Sequence, residues 1–208
     1  MRGKRLLLGL LGVLAVAVIV ILIPMVFFKT ADPQLDHYGP VTPFHFTDER
    51  GQPITQEMFL GHVTIVSFIF TRCDLACPVT SMKMERLQEK TFDVGKAVKL
   101  ASFTVDPAFD TPPILAAYAQ RYHADPTRWR FLTGPAPELH QLVEGSFMST
   151  MDPNGLSPHG VISIAHSERF FLVDGNGEIR GLYDSGDIQK LDQLVHDARF
   201  LVRTQHLQ

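Results

Sequence analysis

The sequence predicts an α/β fold in three layers, a mixed central sheet covered by helices on both faces, carried behind one N-terminal membrane-spanning helix. Three observations predict it: an uncharged apolar run from Leu6 to Phe28, an alternation of strand and helix patterns between Val63 and Val143, and a hairpin followed by a helix between Ser163 and Arg203. At 208 residues the chain has room for one ordinary domain and an added segment.

The added segment comes first. Met1-Arg2-Gly3-Lys4-Arg5 precedes the apolar run, which as a helix reaches roughly 34 Å, enough to cross a hydrocarbon core of about 30 Å. Ala15-Val16-Ala17 imitates a signal-peptidase site. The run exceeds the usual ~7 to 15 apolar residues of a secretory signal, however, and cutting there would leave Val18 to Phe28 as an apolar terminus. The reading is therefore an uncleaved anchor. Arg2, Lys4 and Arg5 lie before it and only Lys29 follows closely, so the N-terminus is expected in the cytoplasm and the remainder outside. Without a Ser/Arg-rich amphipathic presequence, the expected location is a bacterial inner membrane, crossed once, with the soluble domain in the periplasm.

The expected organisation is a cytoplasmic tip and anchor over 1–28, a polar, proline-bearing linker over 29–43, and a folded domain over 44–208. Within the domain, Phe44-His45-Phe46, the turn signal Asp48-Glu49-Arg50-Gly51 and Thr55 to His62 predict a small hairpin. Val63 to Phe70 is β-branched and aromatic, as a buried central strand requires. An amphipathic helix follows from Pro78 to about Lys90, with Val79, Met82, Met84 and Leu87 as its apolar residues. Then come a strand over Lys99–Val105, a helix over Pro112–Tyr122, a strand over Arg130–Thr133 and a helix near Pro137–Val143. This alternation implies a parallel half-sheet. Ser163–Val173 and Glu178–Tyr183, joined by Asp174-Gly175-Asn176-Gly177, predict an antiparallel hairpin, and Ile188–Arg203 a closing helix. A parallel half joined to such a hairpin and helix is the thioredoxin-like order.

The formal charge of −3 is spread along the chain. With no basic cluster to follow a phosphate backbone, nucleic acid is excluded as a partner. Chemistry is expected at the two cysteines, Cys73 and Cys77, which sit where the first central strand becomes a helix. Open α/β sheets collect reactive groups beyond the carboxyl ends of their strands. A helix N-terminus favours the thiolate, Arg72 would assist, and Asp74 would oppose.

Three roles fit that pair. A structural disulfide would close only about five residues, worth ~2 kcal/mol against ~3 for fifteen, in a domain able to build a core without it. Thiol oxidoreductases usually place two residues between their cysteines, and here there are three. Two thiolates are soft ligands for copper(I) or zinc, and an imidazole would complete a three-ligand site. Among nine histidines, His166 is the first candidate, because its strand returns beside the first central strand. A hydrogen-bonded structural histidine is the competing reading. His159, in the Asn154–Gly160 loop, is the second candidate.

Taken together, the N-terminal span, Phe70-Thr71-Arg72-Cys73-x3-Cys77-Pro78, Thr104-Val105-Asp106-Pro107-x2-Asp110-Thr111-Pro112, and His166-Ser167 before Phe171-Leu172-Val173-Asp174 resemble the Sco/SenC family. These are thioredoxin-like copper proteins associated with assembly of the cytochrome c oxidase copper centre. The resemblance implies that Cys73, Cys77 and His166 form a copper site, holding Cu(I), Cu(II) or both. It also implies a copper-bearing oxidase subunit as the recipient, with a periplasmic copper donor or thiol reductant as a further partner. Asp106 and Asp110 match the family's acidic loop. Carboxylates there would orient the histidine or contact a partner, and the plainer reading is a strand-to-helix turn with Asp110 capping the next helix.

Two departures stand out. Asp74 occupies a place where many members carry proline, and Phe109 replaces a residue that is often charged; neither removes a ligand. Met82 and Met84 are soft enough for copper, but helix spacing assigns both to packing against the sheet. A copper chaperone is thus the first expectation and a thiol-disulfide reductase, with Cys73 and Cys77 as its redox-active pair, the alternative. A peroxidase lacks its expected Pro-x3-Thr-x2-Cys approach.

Overall fold

The structure is a computed structural model that describes residues 33–72, 76–149 and 169–207. The strands are β1 (Gly39–Pro40), β2 (His45–Asp48), β3 (Pro53–Thr55), β4 (Val63–Ile69), β5 (Val98–Thr104), β6 (Trp129–Thr133), β7 (Arg169–Val173) and β8 (Glu178–Asp184). The helices are α1 (Ala76–Lys90), α2 (Pro112–Arg121), α3 (Ala136–His140) and α4 (Ile188–Thr204). One sheet of eight strands has the order β1-β8-β7-β4-β5-β6-β2-β3. The parallel β4–β5–β6 centre meets the antiparallel β7–β8 hairpin at β4.

Every residue of β4 is buried, because it has strands on both sides and helices on both faces. Side chains alternate along a strand, and β4 divides them between two cores. Val63, Ile65 and Ile69 face Met84 and Leu87 of α1, Leu115 and Tyr118 of α2, and Leu194, Ala198 and Leu201 of α4. Val66 and Phe68 face Leu139 of α3 and a phenylalanine cluster of Phe44, Phe46, Phe103, Phe147 and Phe171. Phe68 sits at its centre, 5.3 Å from the Phe147 ring and 5.8 Å from the Phe171 ring, both edge-on, a favoured aromatic geometry. Burial of this ring alone removes an aromatic side chain from water, worth about 2–3 kcal/mol.

Of the two polar residues inside the β4 run, the Thr64 hydroxyl is buried without a hydrogen-bond partner among the described residues, whereas Ser67 is satisfied across the sheet. Ser67 lies opposite Ser102 in register, their hydroxyls 2.8 Å apart, and the Trp129 indole N–H donates to Ser102 Oγ at 3.0 Å. Both hairpins turn on a buried aspartate. Asp48 accepts from the N–H groups of Arg50 (2.9 Å) and Gln52 (2.8 Å), and Asp174 from those of Asn176 (2.9 Å) and Glu178 (3.1 Å). Gly51 and Gly177 supply the positive φ values of 77° and 80° that these turns need.

The sequence pattern and the fold differ in a few places. The compact unit begins at Leu35, so the last part of the segment read as linker belongs to it. The Tyr38 N–H bonds to Ile179 O, the Val41 N–H bonds to Gly177 O, each at 3.0 Å, and Val41 is buried. Met84 packs in the core as expected, whereas Met82 is 61% exposed and Val79 is also exposed. Two residues advance a helix by about 200°, so Met82 and Met84 cannot share its inner face. Beyond α3 the chain widens into a π-helical turn over Gln141–Ser146. The anchor expected over 6–28 lies outside the described residues; among those described, no helix is long and apolar enough to cross a membrane.

Two buried polar groups give tests of this packing. The Arg128 guanidinium donates to Val98 O (3.2 Å), Gln88 O (3.1 Å), Thr91 O (3.1 Å) and Thr91 Oγ1 (2.7 Å), tying the end of α1 to the start of β5. Arg128→Ala strands these acceptors and is expected to destabilise the domain by about 3 kcal/mol in urea unfolding. His62 is held at a pKa of about 4, first by burial and then by the nearby Lys99 charge. Its ordinary value is 6.5, so the unfolded chain takes up the proton first as pH falls. His62 therefore costs no stability above pH 6.5 and an increasing amount down to about pH 4. His62→Gln should remove that part of the acid dependence, read as urea midpoints at neutral and acid pH.

Candidate metal centre

β4 ends at Ile69, and three described residues, Phe70, Thr71 and Arg72, follow it before α1. Within them, Phe70 stays buried while Thr71 and Arg72 climb to the surface. Cys77 lies in the first turn of α1 and is buried, packed with Phe70, Phe68 and Val105 on the phenylalanine side of the sheet. The Phe70 N–H donates to Cys77 Sγ at 3.4 Å. A backbone donor and the positive end of α1 thus both bear on this sulfur, and both favour its thiolate. Beneath it, Tyr118 Oη donates to Cys77 O at 3.5 Å and stands 2.9 Å from Ser81 Oγ. Burial pushes the Tyr118 phenol well above its ordinary range, so it is a neutral hydrogen-bonding group under the helix start.

The acidic loop lies directly against the turn. Asp110 is wholly buried. Its carboxylate accepts the Thr71 N–H at 3.0 Å, the Thr71 hydroxyl and the Thr104 hydroxyl. Asp106 accepts from Arg72 through Nε at 3.0 Å and through Nη2, and its own N–H donates to Thr104 Oγ1 at 3.0 Å. The Arg72 guanidinium also lies 4.3 Å from the centre of the Phe109 ring, a cation–π distance.

This geometry changes two expectations. Asp110 does not cap the following helix; Thr111 is the N-cap residue of α2, and the Asp110 carboxylate is turned back onto Thr71 and Thr104. Arg72 is not an uncommitted cation beside the thiols, since Asp106 neutralises it and Phe109 covers one face. Phe109, a departure from the family pattern, has a local reason in that stacking. Cys73, His166, His159 and Asp74 lie outside the described residues. Of the expected ligand set, the described part is Cys77, with Asp106 and Asp110 holding the turn that precedes Cys73 rather than standing free.

Thr71, Thr104 and Tyr118 are the participants that sequence reasoning assigned no role. The threonines stood in the motifs, but hydroxyls in strand-like runs carry no signal until their partner is known. Tyr118 read as one more apolar residue of a helix.

A family model described as SCO1/SenC matches residues 32–202. The chain belongs to the SCO1/SenC family. It is 30% identical over 160 residues to the SCO1 protein homolog of Bacillus subtilis (strain 168), covering 76% of this chain and 81% of that protein. Its fold matches the solved structure of BsSco, a member of the Sco family of cytochrome c oxidase assembly proteins in which a disulfide switch was identified. That match has a TM-score of 0.68 and 30% identity, over 81% of this chain and 94% of that one. Copper-bound ScoI of Bradyrhizobium japonicum has the same fold, with a TM-score of 0.66 and 20% identity over 78% of this chain and 99% of that one. The thioredoxin-like fold expected from the order of elements is thus the Sco fold, and copper is bound by proteins that share it.

Proposed function

We propose that this SCO1/SenC chain is a membrane-anchored metallochaperone. Reduced Cys73 and Cys77 hold copper with His166, and pass it by ligand exchange to the binuclear copper site on the copper-bearing subunit of cytochrome c oxidase. Residues 6–28 anchor it in the bacterial inner membrane, the residues from 29 lead off the membrane, and the compact unit that begins at Leu35 works in the periplasm. A periplasmic copper donor, or a thiol reductant that keeps the pair open, completes the cycle.

The observation that carries the reading is the position of Cys77, a soft ligand at the carboxyl end of β4 with its sulfur in an apolar cluster and a backbone N–H directed at it. Thiolates in such surroundings suit copper(I). Connectivity supports the other two ligands. Cys73 follows Arg72 directly in the sequence. β7 pairs antiparallel with β4, so Arg169, the first residue of β7, lies at the same end of the sheet as Thr71. His166 is three residues before Arg169 in the sequence. The carboxylates act through the turn: Asp110 and Asp106 tether Thr71 and Arg72, the two residues that lead into Cys73.

A second reading has its own observation. The disulfide switch of BsSco and the N–H donor on Cys77 Sγ favour a thiol-disulfide reductase that keeps cysteines of an exported partner reduced. The two readings divide at His166, because disulfide exchange needs only the sulfurs while copper retention needs a third ligand.

Anaerobic copper(I) titration of the reduced protein, followed by thiolate-to-copper absorption, tests this. The wild type should bind one copper per chain. Cys73→Ser, Cys77→Ser and His166→Ala should each lose affinity by roughly a hundredfold or more. A His166→Ala chain that keeps native affinity would eliminate the three-ligand site, and a wild type that binds no copper would eliminate the chaperone.

A further inference from the structure

The main-chain ladder between β4 and β5 ends with the Val105 N–H donating to Ile69 O at 2.8 Å. The next two N–H groups of the chain, those of Phe70 and Thr71, lie beyond it. Phe70 N–H goes to Cys77 Sγ, and Thr71 N–H goes to Asp110. A strand end past its last ladder bond frays unless something else holds it.

Asp110 is suited to hold it. The oxygen that accepts the Thr71 N–H, Oδ2, also accepts the Thr104 hydroxyl, while Oδ1 accepts the Thr71 hydroxyl. Its own N–H bonds back to Asp106 O at 2.9 Å. The carboxylate is thereby located with respect to β5, and it grips Thr71 at two points. One peptide unit before that grip is the N–H that meets the Cys77 sulfur. A carboxylate is an acceptor-only group, and here all three approaching groups are donors; an amide in its place would present a donor to one of them.

We infer that Asp110 is a positioning residue for Cys77: by pinning Thr71 it keeps the Phe70 N–H on Sγ and so favours the reduced cysteine pair over its disulfide. The inference rests on the reading that Cys73 and Cys77 work as one pair. A thiolate accepts the N–H far better than a disulfide sulfur does, so the bond favours the open pair. In the reaction with glutathione, two glutathione thiols give two electrons and two protons to the Cys73–Cys77 disulfide. The protein S–S bond breaks, two thiols form, and one glutathione disulfide is released. Loosening Thr71 moves this equilibrium toward the protein disulfide.

The test equilibrates the full-length chain, in detergent, with glutathione buffers of graded composition, and then traps and counts free thiols. Asp110→Asn should shift the equilibrium about tenfold toward the disulfide, roughly 30 mV for two electrons. Thr71→Val, which keeps the amide but loses the hydroxyl grip, should shift it about threefold. Thr71→Ser keeps both contacts and should match the wild type, a rescue that general loss of stability would not produce. If Asp110→Asn does not fold, as judged by circular dichroism, the Thr71 pair carries the test. Equal equilibria for Thr71→Val and Thr71→Ser overturn the inference, as does a wild-type pair that glutathione disulfide cannot oxidise. Copper(I) titration of the same wild-type preparation keeps the two ideas apart. Absence of copper binding sinks the chaperone reading and leaves the glutathione result to judge Asp110.

Discussion

The carboxylate of Asp110 closes the carboxyl ends of two strands that have run out of ladder. Thr104 is the last residue of β5 and Thr71 lies just past the end of β4, and a single buried side chain accepts from both. Taking a carboxylate out of water is costly unless each lone pair is met. Here the cost is offset by donors that belong to the fold itself. The turn toward α1 inherits its position from this node, and so does the direction of the Phe70 N–H. Asp106 extends the same arrangement by one residue, holding Arg72 as Asp110 holds Thr71.

That node stands on a sheet that is packed on both faces. β4 is buried on both faces, with aliphatic packing against three helices on one side and a phenylalanine cluster on the other. Its central polar pair, Ser67 and Ser102, is satisfied across the strands and by Trp129. A one-residue slip of β4 would exchange its two faces and separate these hydroxyls. The register is therefore specified by polar and apolar groups together, and the strand ends arrive at fixed heights. The functional turn is a short, irregular piece built on a rigid frame, the division of labour expected where loops carry chemistry.

Most of this frame was legible in the sequence because it depends on periodicity. The β-branched run of β4, the alternation of strand and helix through Thr133, and the Asp174–Gly177 turn all announce themselves within a few residues. What was not legible depends on long-range pairing. β1 is only two residues, and it is a strand because Gly39 and Pro40 meet β8; nothing local distinguishes it from a linker. Met82 and Met84 looked equivalent as apolar residues, and only the helix phase set by the surrounding core separates them. At the site, Asp106 and Asp110 could be picked out by motif, but their partners are 34 and 39 residues away. A carboxylate that caps a helix and one that clamps a distant strand end look the same until the fold brings the strand to it.

The electrostatics of the turn bear on which chemistry the cysteines favour. In the proposed site, two thiolates with copper(I) and a neutral imidazole would carry one net negative charge and would gain from nearby positive potential. Arg72 would be the obvious source, yet its charge is cancelled by Asp106 and its face is covered by Phe109. Among the described residues, the start of α1 and the Phe70 N–H bear on Cys77, partial charges fixed by the backbone. Such dipoles do not move with the side chain of a docking partner and bring no ammonium or guanidinium of their own to compete for an incoming thiolate. The ligand exchange proposed above would benefit from that, because an acceptor's cysteines would have to approach copper that is still held. With Arg72 neutralised, the proposed three-ligand site would depend for its charge balance on these backbone groups, and Asp110 holds Thr71, the residue that follows the Phe70 N–H.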